Sequence, residues 1–246
     1  MPSHMSAIGF NPQTADDFGR LQLQASQNGT PLQVEGGYYI RWEVGQGVEL
    51  WAQANERREL LWLNPHFNGS ALFEMSLTDH IRRADTPLEG AFFGWVNPPA
   101  ADLDDGDYPL VFDTPDDARH RHLPLPHRCQ VQMAAFAHRL DVFADEAAFT
   151  AAQEGGQQFP VESFIPPGTY VPPTQLPTAA AVFSGRILAA NVRINPVTNL
   201  IFHWVRVKTA GGEIDVVADP QVIVGQVEEG RIVSGSFWLS GRVQTD

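Results

Sequence analysis

The chain has one cysteine, Cys129, among 246 residues, so no internal disulfide can cross-link it. That is the usage expected of a reducing cytoplasm. No apolar run approaches the roughly 20 residues that a membrane-spanning helix needs, so no membrane partner is expected. No basic segment followed by an apolar core opens the chain, so no secretory signal is expected. The opening MPSHM has the look of a cloning remnant, which takes His4 out of the argument. Catalytic signatures are also lacking. No glycine-rich loop ends in Lys-Ser/Thr and no G-x-G-x-x-G opens a helix. Ser163, Ser184 and Ser240 stand outside any G-x-S-x-G context.

Positive charge is scarce, with 16 basic against 29 acidic side chains and a net charge of −13. Residues 179–246 balance six basic groups with six acidic ones, so the whole excess lies in residues 1–178. Such a surface repels phosphate backbones and anionic membranes and favours solubility. At 43% hydrophobic and 18% charged the composition is globular. The 21 glycines and 19 prolines break it into short aromatic and β-branched runs, which read as strands.

TADDFGRLQLQASQNG (14–29) reads as a helix. Thr14 is the N-cap, Asp17 sits at the third helical position, and Asn28-Gly29 form the exit. Three strands follow in LQV (32–34), YYIRWEV (38–44) and VELWAQA (48–54), the last two joined by a Gly45-Gln46-Gly47 turn. Further strands are expected at 60–63, 71–78, 90–96 and 108–113. A long or bent one is expected at 129–143, then a short helix capped by Asp145 and closed by Gly155-Gly156. PVESFIPPGTYVPPTQLP (160–177) reads as an extended proline-rich connector. The chain then divides into a β-rich α+β domain over 6–159, a connector over 160–180 and a small β-barrel over 181–246.

DDFGRL (16–21) and GGYYIRWEVGQGVELWAQ (36–53) resemble half of a vicinal-oxygen-chelate module, the unit of glyoxalases and bleomycin-resistance proteins. The resemblance implies that Glu49, in GVELW, stands where that family places a metal-binding glutamate. The family's opening strand would be AIGF (7–10), which carries no ligand. SGRIL (184–188), HWVRVKTAGGEIDVV (203–217) and GRIVSGSFWLSGRV (230–243) resemble an oligonucleotide/oligosaccharide-binding (OB) barrel. The expected fold is therefore α+β and β-rich, with a vicinal-oxygen-chelate-like N-terminal domain and a small OB-like barrel.

Three candidate sites follow. Tyr38, Trp42, Trp51 and Trp62 would line a concave sheet for a small-molecule or protein ligand. HRHLPLPHRC (120–129) brings His120, His122 and His127 near the cysteine, and with Glu49 they form the metal alternative. Arg119, Arg121 and Arg128 crowd that stretch and disfavour a cation, so pairing with the DTPDD acids (113–117) is the favoured reading. On the barrel, Phe202, Trp204, Arg206 and Lys208 share a strand face, as in single-strand nucleic-acid binders. Glu213 and Asp215 fold back against the basic pair, which makes nucleic acid an unlikely partner. The leading function is a non-catalytic binding or interaction role without a cofactor. The alternatives are a metal enzyme using Glu49 and a weak single-strand binder.

Overall fold

The computed structural model describes residues 3–83, 86–153, 158–172 and 174–244. Half of the chain is strand and 14% is helix, so the β-rich α+β class holds. A helix α1 (Ala15–Asn28) leads into β1 (Thr30–Val34), β2 (Gly37–Gly45), β3 (Val48–Asn55) and β4 (Leu60–Phe67). These four strands form one antiparallel sheet in chain order. A second sheet holds β5 (Leu72–Arg82), β6 (Gly90–Val96), β7 (Pro109–Thr114) and β8 (His127–Phe143). After α2 (Glu146–Ala151) it continues with β9 (Ser163–Ile165), β10 (Ala180–Ile194), β11 (Ile201–Thr209), β12 (Gly212–Ala218), β13 (Ile223–Val224) and β14 (Ile232–Val243).

The local elements form for legible reasons. Thr14 Oγ1 accepts from the Asp17 amide at 3.1 Å and Asp17 Oδ2 accepts from the Thr14 amide at 3.0 Å, a reciprocal cap that starts α1. Asp145 Oδ1 accepts from the Ala148 amide at 2.8 Å and starts α2. The exit expected at Gly155-Gly156 lies outside the described residues. Gln46 and Gly47 both have positive φ, 57° and 83°, the two-residue turn geometry that matches strand twist. Every residue of β3 from Val48 to Ala54 is buried. Leu50 and Ala52 belong to an apolar cluster that includes Leu21 and Ala25 of α1, while Trp51 packs with Tyr39, Leu88 and Ala118. AIGF does not form the expected opening strand. Ser6–Ile8 is a single 3-10 turn ended by Gly9 at φ 77°, and Ile8 and Phe10 are buried in the same cluster as Leu21. His4 stacks on Trp238, with ring centroids 4.2 Å apart.

The expected division at 160–180 is corrected by the strand pairing. β8 and β14 pair over twelve registered positions, from Ile232 opposite Phe143 to Val243 opposite Val131, so the sheet crosses the connector. Two closed circuits of strands share this ladder. One runs β8–β12–β11–β10–β14 and the other β8–β5–β6–β7–β14. One apolar cluster fills both, from Phe73, Met75 and Phe92 to Val205, Ile214 and Phe237. Part of the connector is itself packed. β9 pairs with β10, and Phe164 stacks on Phe183 and Tyr108 with centroids 5.3 and 4.7 Å apart.

β10 changes partner near Gly185, where it leaves β14 for β11. A Cβ at Gly185 would lie 2.2 Å from the Lys208 carbonyl oxygen, whereas one at Gly19 in α1 would meet nothing within 4 Å. Gly185→Ala is therefore expected to lower the unfolding free energy by about 1–3 kcal/mol. Gly19→Ala is expected to raise it by about 0.5–1 kcal/mol. Urea midpoints of the two variants check both signs.

Candidate functional site

The sheet β1–β4 has two faces with different chemistry. On the front, α1 covers only part of the sheet and leaves a groove of about 560 Å3. Leu23 and Ser26 of α1, Pro31 and Gln33 of β1, Tyr38 and Ile40 of β2, Ala54 and Leu60 line it, with Arg58 at the β3–β4 turn. The Arg58 guanidinium lies 5.6 Å from the Tyr38 ring centre. Leu23 is 51% exposed beside it.

On the back, the sheet carries a buried ionic layer against the larger sheet. Glu49 and His66 are cross-strand neighbours on β3 and β4, and Arg41 lies opposite Trp51. Glu49 accepts from Arg41 Nη2 and, at 2.9 Å, from Trp51 Nε1, while Arg242 Nη1 of β14 stands 3.9 Å away. Burial alone would push the Glu49 carboxyl up. The Arg41 hydrogen bond, with the charges of Arg242 and Arg41, outweighs it and holds Glu49 below the usual carboxylate range. Arg242 Nε is 3.8 Å from Asp116. Asp116 is opposed by burial in the same way, yet His120, Arg242 and Arg119 bring it down to about 2.

His66 sits at the centre of this layer and is fully buried. Its Nδ1 is 2.8 Å from Ser240 Oγ and its Nε2 is 2.7 Å from Gln132 Oε1. Gln132 Nε2 donates to the Phe67 carbonyl at 3.2 Å, which turns Oε1 toward the imidazole. His66 therefore carries its proton on Nε2, and Ser240 donates to Nδ1. Burial lowers His66 to about 4, so the ring is neutral near pH 7. The Ser-His pairing has the form of an activated nucleophile. The recess beside Ser240 is about 40 Å3, however, which admits a water and not an acyl group. The arrangement is a lock between β4, β8 and β14.

The four aromatic residues expected on one concave surface are dispersed, which corrects that expectation. Tyr38 lines the groove, but Trp42 leans on Phe10 with centroids 6.5 Å apart. Trp51 is buried on the opposite face, flanked by the Arg41 and Arg242 guanidiniums at 5.6 and 5.1 Å. Trp62 is 49% exposed and outside the groove lining.

The metal alternative is likewise dispersed. Glu49 faces two arginines, His120 is buried 3.5 Å from Asp116, and the exposed His122 is 3.6 Å from Glu35. His127 lines a separate cavity with Cys129, whose thiol burial pushes up to about 11. Among the described residues no three metal-binding side chains gather. The basic loop does meet the DTPDD acids: Arg119 is 3.1 Å from Asp116 and Arg121 is 2.9 Å from Asp117.

The barrel stripe is occupied too. Phe202 is fully buried against Phe67, and Trp204 Nε1 donates to Asp215 at 2.8 Å. Arg206 Nη2 donates to Asp215 at 3.0 Å and to Ser70 at 2.6 Å. Lys208 lies opposite Glu213 in the ladder and 3.8 Å from Glu162.

Arg41, His66 and Arg242 escaped the sequence reading, and Ser240 entered it only as a serine without a nucleophile motif. Arg41 had a local signal, since it shares a strand face with Glu43 beside a tight turn that brings Glu49 opposite. Arg242 had none. No protein family, curated protein or solved structure matches the chain.

Removing Glu49 leaves two largely buried guanidiniums short of countercharge. Glu49→Ala is expected to cost about 3–5 kcal/mol of stability. Glu43→Ala, at an exposed carboxylate 2.8 Å from Arg41, is expected to cost less than about 1 kcal/mol in the same denaturation series. His66 binds its proton less readily folded than unfolded. The stability it supports is complete above about pH 6.5 and is lost as the pH falls from there to about 4. An unfolding free energy measured across that window is expected to fall toward acid, with a shallower slope in His66→Gln.

Proposed function

We propose that this chain is a non-catalytic binding protein whose ligand site is the groove between α1 and the front of the β1–β4 sheet. The observation that carries the reading is the groove's lining. Leu23, Pro31, Ile40, Ala54 and Leu60 supply an apolar wall, and its volume lies within the roughly 300–1,000 Å3 of small-molecule sites. Its titratable side chains are Tyr38 and Arg58, with no carboxylate, imidazole or thiol among the described lining. Ser26, its one hydroxyl besides Tyr38, donates to the Leu23 carbonyl at 2.7 Å and has no base beside it. A groove without a general base or activated nucleophile holds a molecule and does not transform it.

The remaining architecture supports a scaffold role. The circuit β8–β12–β11–β10–β14 supports an OB-like reading of the C-terminal strands, with its fifth strand supplied by β8. The helix and the antiparallel strands after it support the vicinal-oxygen-chelate-like reading over that one unit. The cross-strand acids on Arg206 and Lys208 speak against nucleic acid as the partner. The single cysteine, half-buried Cys129 with its thiol pushed up by desolvation, suits a reducing cytoplasm.

The test uses 1-decanol as a neutral apolar probe and methyl NMR of the full chain. Shifts are expected at Leu23, Ile40 and Leu60, and those at Ile40 and Leu60 are expected to vanish in Leu23→Glu, a rim substitution that leaves the core intact. No shift at these methyls, or the same shifts in Leu23→Glu, would count against the groove.

A further inference from the structure

Resting on the groove reading, we infer that the natural ligand has an anionic end, a carboxylate on an apolar body, and that Arg58 receives it. Arg58 is the charged residue in the groove lining. Most basic side chains of the protein are already engaged. Arg41, Arg121, Arg128, Arg206 and Arg242 are among those with a carboxylate within 4 Å. Among the described residues no carboxylate lies that close to Arg58, and its recorded side-chain contact is the face of Tyr38. In a chain of net charge −13, a cation left unengaged at the edge of an apolar groove is the feature a carboxylate would complement.

The backbone points the same way. Arg58 has φ 64°, a left-handed conformation that costs an ordinary side chain energy and that glycine adopts freely. The turn enforces it. The Arg58 amide donates to the Asn55 carbonyl at 2.8 Å, and Asn55 Oδ1 accepts from the amides of Arg57 and Glu59, each at 2.9 Å. The nearby carboxylate of Glu59 is held by Asn55 Nδ2 at 2.6 Å, turned to the turn and away from competition. A long cationic side chain thus occupies a position that backbone geometry would give to glycine. The strain is explained if the guanidinium is needed at the groove's mouth.

The experiment compares decanoate with 1-decanol on the full chain at neutral pH, read by the same methyl shifts. Wild type is expected to bind decanoate about three- to tenfold more tightly than decanol, the range for an exposed charge-assisted pair. That preference is expected to shrink with added salt. Arg58→Gly is expected to abolish the preference for decanoate over decanol and to keep or raise the unfolding temperature because the strained φ is relieved. Arg57→Gly serves as the neighbouring-charge control and is expected to keep the preference. Equal binding of the two probes, or a preference that survives Arg58→Gly, overturns the anionic-ligand inference and leaves the groove standing. Failure of both probes to bind overturns the groove reading and this inference with it.

Discussion

The twelve-position ladder between β8 and β14 is the constraint on which the rest of the structure depends. β8 uses its first residues to pair with β5 and its later ones to pair with β12 and β13. β14 pairs with β10 along its first half and touches β7 at Ser240. Each strand therefore changes its outer neighbour midway while keeping its inner one. Two circuits close on the same wall, and neither has to bear a long unpaired edge along it. The apolar cluster is continuous because the wall between the circuits is itself made of alternating core side chains such as Val131, Met133, Val233 and Phe237.

That wall also anchors the smaller sheet. Ser240 and Arg242 project from β14, and Gln132 from β8, into the layer that meets Glu49, His66 and Arg41. Buried ion pairs contribute little net stability, because desolvation offsets most of their attraction. Their effect here is registration. A carboxylate that faces Arg41, Trp51 and Arg242 tolerates one placement of β3 over β14, whereas apolar surfaces slide. The front face of the same sheet is freed from that duty. It carries the groove because α1, with Leu21 and Ala25 buried and Leu23 left out, covers only part of the strands.

Much of the local structure was legible in the sequence, and for local reasons. The Thr14–Asp17 cap, the Gly45-Gln46-Gly47 turn, the long strand at 129–143 and the pairing of Arg206 and Lys208 with acids all follow from short-range chemistry. The partition into two units was not legible. It depends on β14 choosing β8, a pairing between residues about a hundred positions apart that no local pattern announces. The scattering of the aromatic quartet, by contrast, was within reach. In a hairpin closed by a tight turn, Trp42 falls opposite Leu50 and Arg41 falls opposite Trp51. The two tryptophans then take opposite faces by the parity of the strand. Of the four, Tyr38 is the one that lines the groove, and Arg58 gives no signal because nothing in a sequence reveals a positive φ at an arginine.

The shared ladder has a consequence for synthesis on the ribosome. Neither circuit can close until residues 232–243 have emerged. Until then β5–β8 and β10–β12 are open sheets with exposed borders, held together only by their own hairpins. A nascent chain that holds β5–β12 alone therefore carries both circuits unclosed, and one strand completes the two together.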